Sequence, residues 1–227
     1  MVLHHPTHEP GDSGRVRSAI LGRAHSLARH LDRALIVAGC SCLAWVGWAW
    51  LDAASFQRQA ASAVIPLPEV EVEVGVEEGT VVGRLWIPRV GIGVAVAEGV
   101  SEGVLRRTVG HVPGTALPGS PGNVVLAGHR DTFFRSLESI RAGDAIYIEN
   151  GAGVDIYLVD WFRVVAPSEV ALLGSTPEPA LTLVTCYPFR YVGPAPSRFV
   201  VRARHASGPV AEGQRGAAAA SMTWDGR

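Results

Sequence analysis

Apolar residues follow two rhythms along this chain. Over residues 34–51 they run unbroken by charge, ALIVAGCSCLAWVGWAWL, a stretch of 18 residues. That is the short end of what spans a hydrocarbon layer as a helix. Beyond residue 80 the apolar residues come instead in short runs, at 84–88, 92–96, 123–127, 145–149, 154–165, 180–185 and 199–203, separated by Gly and Pro. Many of these runs are rich in Val, Ile or aromatic side chains, which suit a pleated, half-buried surface. Their spacing predicts an all-β sandwich or barrel over 80–205, not a series of βαβ units. Two stretches, 101–109 and 133–140, read as helical or irregular. There is no internal repeat, and the glycines near 91–93 lack the strand–helix setting of a phosphate loop.

The flanks of the long run give it a direction. Residues 1–33 carry Arg15, Arg17, Arg23, Arg29 and Arg33 against Glu9, Asp12 and Asp32, and Trp45, Trp48 and Trp50 crowd the far end. Basic residues favour the cytoplasmic side and tryptophans the interface. The pattern predicts a basic cytoplasmic leader (1–33), one uncleaved transmembrane helix (34–51) and an extracytoplasmic remainder. A cleaved signal peptide would have a shorter apolar core and a shorter leader. A helix buried in protein would show a polar face, which this run lacks. His4, His5, His8, His25 and His30 in the leader read as scattered polar residues, not as a metal site. Residues 52–79, containing EVEVEVGVEE, read as an acidic solvated stalk, and 206–227 as a disordered tail.

The formal net charge is −1, so nothing global points to nucleic acid. All 20 basic residues are Arg, with no Lys in the chain. Such a chain cannot offer a lysine amine of its own as an acceptor. Of three cysteines, Cys40 and Cys42 lie inside the apolar run as small fillers, without the partners of a zinc site or a disulfide framework.

Cys186 stands apart from both. It closes the strand-like run ALTLVTC and precedes Tyr187-Pro188. His129 closes a similar run, NVVLAGH, and Arg198 opens the last one. A thiolate can attack an amide carbonyl, and an imidazolium can protonate the leaving amine. A guanidinium can steady the oxyanion or hold the substrate backbone. Spacing alone leaves Cys186 equally readable as a small buried residue and His129 as an ordinary one.

The wording around these residues goes further. TLVTC (182–186) matches the TLxTC motif of sortases, Arg198 follows at the usual short remove, and LAGHR holds the histidine. GHVPGTALPGSPGNVVLAGHRDTFF (110–134) and TCYPFRYVGPAPSRFVV (185–201) resemble class D sortases over residues 83–204. The resemblance implies an eight-stranded β-barrel with short helices, preceded by the single transmembrane helix. It implies a transpeptidase that cleaves an LPxT-type sorting signal after Thr and joins it to an amine of the cell wall, a pilin or another surface partner. Cys186 would then be the nucleophile, His129 the general acid and later base, and Arg198 the oxyanion and substrate ligand, with a bell-shaped rate–pH profile. Thr185 and His111 would border the substrate, although a loop-anchoring role for His111 is open beside that. Asp131 could orient His129 or be a plain exposed loop residue. Tyr187, Phe189 and Tyr191 could shape the pocket or be core. No metal or other cofactor is expected, with calcium left open. The implied location is the plasma (inner) membrane, single-pass. A thiol endopeptidase, a tethered binding domain and a secreted enzyme are the rival readings.

Overall fold

A computed structural model describes residues 13–62 and 76–206. The first twelve residues, residues 63–75 with the whole of EVEVEV, and the tail from 207 onward lie outside the described residues, as do the side chains of His25 and His30. The chain divides into two units, Met1–Leu51 and Asp52–Arg227.

The first unit carries most of helix α1 (Ser13–Ser62). Its portion from Asp32 is long and apolar enough to cross a membrane, with a mean hydropathy of 1.8. Leu35, Leu43, Trp45 and Trp50 are exposed, so this helix is not buried in protein as a soluble core helix would be.

The second unit is a closed eight-stranded barrel, as the family resemblance implies; the spacing alone left sandwich and barrel open. Its strands are β1 (Val81–Ile87), β2 (Ile92–Glu98), β3 (Val109–His111), β4 (Asn123–Ala127), β5 (Ala145–Asn150), β6 (Gly153–Val165), β7 (Ala180–Tyr187) and β8 (Ser197–His205). The order around the barrel is β1-β2-β3-β4-β7-β8-β6-β5, and β5 closes on β1. The β2/β3 and β4/β7 pairs are parallel and the rest antiparallel. Paired residues share a face, so the register builds continuous apolar rows. Leu126, Leu183 and Val201 form one across β4, β7 and β8. Leu85 lies opposite Val94 and Ile87 opposite Ile92 in another. These side chains, with Phe134, Leu137, Ile146, Ile148 and Tyr157, fill the barrel.

Two stretches left as helical or irregular resolve in detail. Within 101–109, a short helix α2 (Glu102–Leu105) starts at Ser101, whose Oγ accepts from the Val104 N–H at 3.4 Å. The three-residue β3 follows it. Within 133–140 there is a 3-10 turn over Arg135–Ser139.

The start of the expected stalk is different. Residues 52–62 are helical, the last turns of α1, and pack on the barrel. β3 pairs with β2 only from Val96 onward, which leaves the Ala95 N–H beyond its reach. Gln57 fills that place: its Oε1 accepts from Ala95 N at 3.0 Å while its Nε2 donates to Arg107 O at 2.7 Å. Arg107 also pairs with Asp52 at 2.8 Å, Arg84 donates to Ala60 O, and Ala60 is buried. A chain starting at residue 63 should therefore melt lower than one starting at 52. Loss of these hydrogen bonds and of the Ala60 contact costs about 2 kcal/mol, or ~4–8 °C. Thermal melts of the two fragments would check it.

One buried carboxylate sets an acid limit. Burial pushes the Asp144 carboxyl up. Hydrogen bonds from Arg89 and from the Arg141 N–H, with the charges of both arginines, outweigh that and hold it below the ordinary carboxylate value. A depressed value means a contribution present above the unfolded pKa of about 3.9 and lost as pH falls through the folded one. Asp144→Asn should lower the melting temperature at pH 7, and the gap to the parent should narrow as melts are repeated below about pH 4.

Candidate active site

Side chains alternate faces along a strand. On β7, Leu181, Leu183 and Thr185 face the core, so Thr182, Val184 and Cys186 face outward. On β8, Phe199, Val201 and Ala203 point in and Arg198, Val200 and Arg202 point out. The outward rows meet, since Cys186 is registered directly opposite Arg198.

β4 brings the histidine to the other side of Cys186. It runs parallel to β7 with Ala127 beside Val184. The Gly128 N–H continues the ladder to Val184 O at 3.2 Å, the bond expected if Gly128 lies beside Thr185. His129 follows two residues past the end of β4, where continued alternation would set it beside Cys186. Of the sequence candidates, Cys186 and Arg198 are registered as neighbours, and β4 leads the chain to His129 on the same side of β7. All three are half-buried, shielded yet accessible.

The walls of this row are two connections. Val125 and Thr182 are in outward positions, yet both are 0% exposed, and the β6–β7 connection is pinned to their neighbours Asn123 and Arg202. Asn123 Nδ2 holds that connection by Leu173 O (3.2 Å) and Gly174 O (3.1 Å), and Arg202 holds it by Leu172 O (2.6 Å). Burial there, and the neighbouring Arg163, keep the Arg202 pKa below the usual arginine value. The other wall is the β7–β8 connection, residues 188–196. Arg198 Nη1 donates to Ser197 O at 3.0 Å and Ala195 O at 3.4 Å, at the base of this connection.

Thr185 does not line an open surface. It is 2% exposed, and its Oγ1 donates to Gly128 O at 2.6 Å. It fixes the peptide that precedes His129. His111 is likewise no surface ligand. It is 1% exposed, with Nδ1 2.6 Å from Glu98 Oε2 and Nε2 2.9 Å from Ala116 O and 3.0 Å from Thr115 Oγ1. Both ring nitrogens are engaged by the protein, so His111 anchors the turn after β3, and substrate contact is the reading its burial opposes. Asp131 is exposed. Tyr187 and Phe189 join Phe199 in an aromatic cluster, the latter pair 5.2 Å apart edge-to-face. Tyr191 is 47% exposed and lies under the Arg130 guanidinium.

Arg130, which the sequence offered only as part of LAGHR, reaches across to the β7–β8 connection. No spacing rule signals such a reach. A cavity of about 290 Å³ lies elsewhere in this unit, lined by Phe56, Glu78, Val104 and Arg107 among others, and includes none of the row's residues.

Comparison with known proteins agrees with this fold. The model of the Sortase domain matches residues 85–206. The chain is 33% identical over 126 residues to Sortase D of Bacillus subtilis, a match covering 55% of this chain and 64% of that one. It is 27% identical over 114 residues to Sortase A of Listeria monocytogenes, covering 48% and 51%. The match therefore spans less than two thirds of either curated relative. Among solved structures, a Clostridium perfringens Sortase D5 transpeptidase superposes with a TM-score of 0.53 at 29% identity, over 58% of this chain and 82% of that one.

Proposed function

The chain belongs to the sortase family, and on that premise we propose that it is a membrane-anchored cysteine transpeptidase acting on an LPxT-type sorting signal. The observation that supports the reading is Cys186 registered opposite Arg198 on β7 and β8, with His129 two residues past the end of the neighbouring β4. In the first half-reaction the Cys186 thiolate attacks the Thr carbonyl carbon. Arg198 stabilises the oxyanion of the tetrahedral adduct. As that adduct collapses, the C–N bond breaks, the Thr acyl group remains as a thioester on Sγ, and the imidazolium of His129 gives its proton to the leaving amine. In the second, an acceptor amine attacks the thioester, His129 takes its proton, and the thiolate leaves as the new amide forms. Thiol, imidazole and guanidinium supply every proton and charge these steps need, so the chemistry calls for no cofactor. Acceptors of this class are amines of cell-wall precursors, pilins or other surface partners.

The apolar part of α1 and the five arginines before it support a single-pass plasma (inner) membrane location, N-terminus inside and barrel outside.

The test is mass spectrometry of the full chain in detergent mixed with LPxTx peptides and a simple amine. A thioester on Cys186 and an amide product are expected. Cleavage without amine transfer would make the protein a thiol endopeptidase. Absence of any adduct across the peptide set would overturn the transpeptidase reading.

A further inference from the structure

We propose that Arg130 is a positioning residue for the transfer reaction, locking the β7–β8 connection to the segment that carries His129. The inference rests on the reading of His129, Cys186 and Arg198 as the reacting set.

Arg130 directly follows His129. Its Nη2 donates to Tyr191 O at 2.9 Å and to Gly193 O at 3.1 Å, and its Cζ lies 5.7 Å from the Tyr191 ring centroid. Three contacts thus converge on one short stretch of chain. That stretch leaves β7 just after Cys186 and rejoins β8 just before Arg198. It has little else to hold its tip: Val192 is 99% exposed and Tyr191 47%. Among the described residues, backbone hydrogen bonds outside the strand ladders do not involve 189–196. Guanidinium groups hold the connection instead: Arg130 at the tip, Arg198 at the base through Ala195 O, and, in an exposed ion pair at 3.8 Å, Arg190 to Glu138.

On the other side of the histidine, Thr185 Oγ1 holds Gly128 O. His129 therefore sits between two cross-strand fixings, one at the residue before it and one at the residue after it. Both fixings reach the strand or connection that carries the nucleophile. A charged donor shared between two carbonyls suits the planar fork of arginine and not the point charge of lysine. If Arg130 lets go, the tip opens, and the imidazole and the Arg198 guanidinium lose their common reference to Sγ. A displacement of about 1 Å at a reacting group can cost about 100-fold in rate. The loss should fall more on kcat than on KM, because the wall anchored by Asn123 and Arg202 is untouched and the other wall opens only at its tip.

The experiment compares the full-length chain in detergent with Arg130→Met, which keeps the stem over Tyr191 but removes the donors, and Arg130→Lys, which restores charge. Three readouts are taken. The first is native trypsin cleavage after Arg190, which is 84% exposed in its side chain; with no Lys in the chain, trypsin acts only at arginines. The second is kcat and KM for LPxT peptide transfer. The third is the rate at which iodoacetamide alkylates Cys186, read on the tryptic peptide 164–190.

For Arg130→Met, cleavage after Arg190 should rise about tenfold as the connection opens locally. Its kcat should fall about 100-fold with KM within about threefold, and alkylation of Cys186 should slow several-fold. Arg130→Lys should fall between Met and the parent in all three. Unchanged kcat in Arg130→Met, or kcat falling only in step with the melting temperature and no better in Lys than in Met, would overturn the proposal. If the parent chain transfers no peptide at all, the transpeptidase reading fails by itself. The cleavage and alkylation readouts still decide about Arg130, and values for Arg130→Met equal to the parent's would refute it.

Discussion

Cys186→Ala should form no thioester and lower kcat/KM for peptide transfer by about 10⁴-fold or more, while the melting temperature stays within about 2 °C of the parent. The two halves of this expectation have separate causes. The thiol is the only group in the outward row that can carry the acyl chain between donor and acceptor. Without it, His129 and Arg198 can polarise a carbonyl but cannot divide the reaction into two easier steps. The fold, by contrast, has little invested in the sulfur. Cys186 faces away from the barrel core and is half-buried, and β7 is held by its ladders to β4 and β8 and by Leu181 and Leu183 inside. Replacing the thiol by hydrogen leaves those contacts in place. Mass spectrometry of the tryptic peptide bearing position 186, with a parallel thermal melt, reads both halves. A large drop in melting temperature would mean that Cys186 is a packing residue after all.

Gly128→Ala should have the second largest effect, and on activity and stability together. A Cβ at this position would lie 2.8 Å from Phe134 Cδ2 and 3.0 Å from two further atoms of that ring. Phe134 is 0% exposed, packed in the core, so the ring has nowhere to retreat. Its own N–H bonds His129 O at 3.1 Å, and displacing Phe134 would pull on the histidine as well. Gly128 is needed here for close approach. Overpacking of this kind costs about 1–3 kcal/mol. The displacement of His129 relative to Cys186 should reduce kcat by about 100-fold. Denaturant melts and peptide-transfer kinetics on one preparation would test it. Retained kcat with lost stability would show that the segment slides without carrying the imidazole along.

The sequence showed much of this site because its chemistry lies at strand ends. The apolar runs that end at His129 and Cys186, and the one that follows Arg198, are β4, β7 and β8, with β4 at the expected residues. What stayed hidden depends on partners distant in the chain. β3 is three residues long, too short for alternation to register, and exists because β2 and β4 both pair with it. Residues 52–62 read as stalk along with the charged stretch that follows them, and their helix is held through Gln57 meeting Ala95 and Arg107, contacts 38 and 50 residues away. His111 read as a candidate for substrate contact because nothing local announces Glu98 as its partner 13 residues earlier. The parallel pairing of β4 with β7 is also invisible locally, although it leads the chain that reaches His129 along the strand that carries Cys186.

That the barrel closes on itself limits how a peptide can be read. Many proteins recognise extended peptides by letting them join a sheet as one more strand, with the main chain supplying the grip. Here β7 has a neighbour on each side and the circuit from β1 to β5 has no free edge. On the proposed reading, a docked peptide would lie across the outer face and be gripped by side chains and by the two connections that wall it. Discrimination between peptides then resides in parts of the chain that the barrel does not need for closure. Those walls can change in sequence, and with them the preferred peptide, while the strands that line up thiol, imidazole and guanidinium stay as they are.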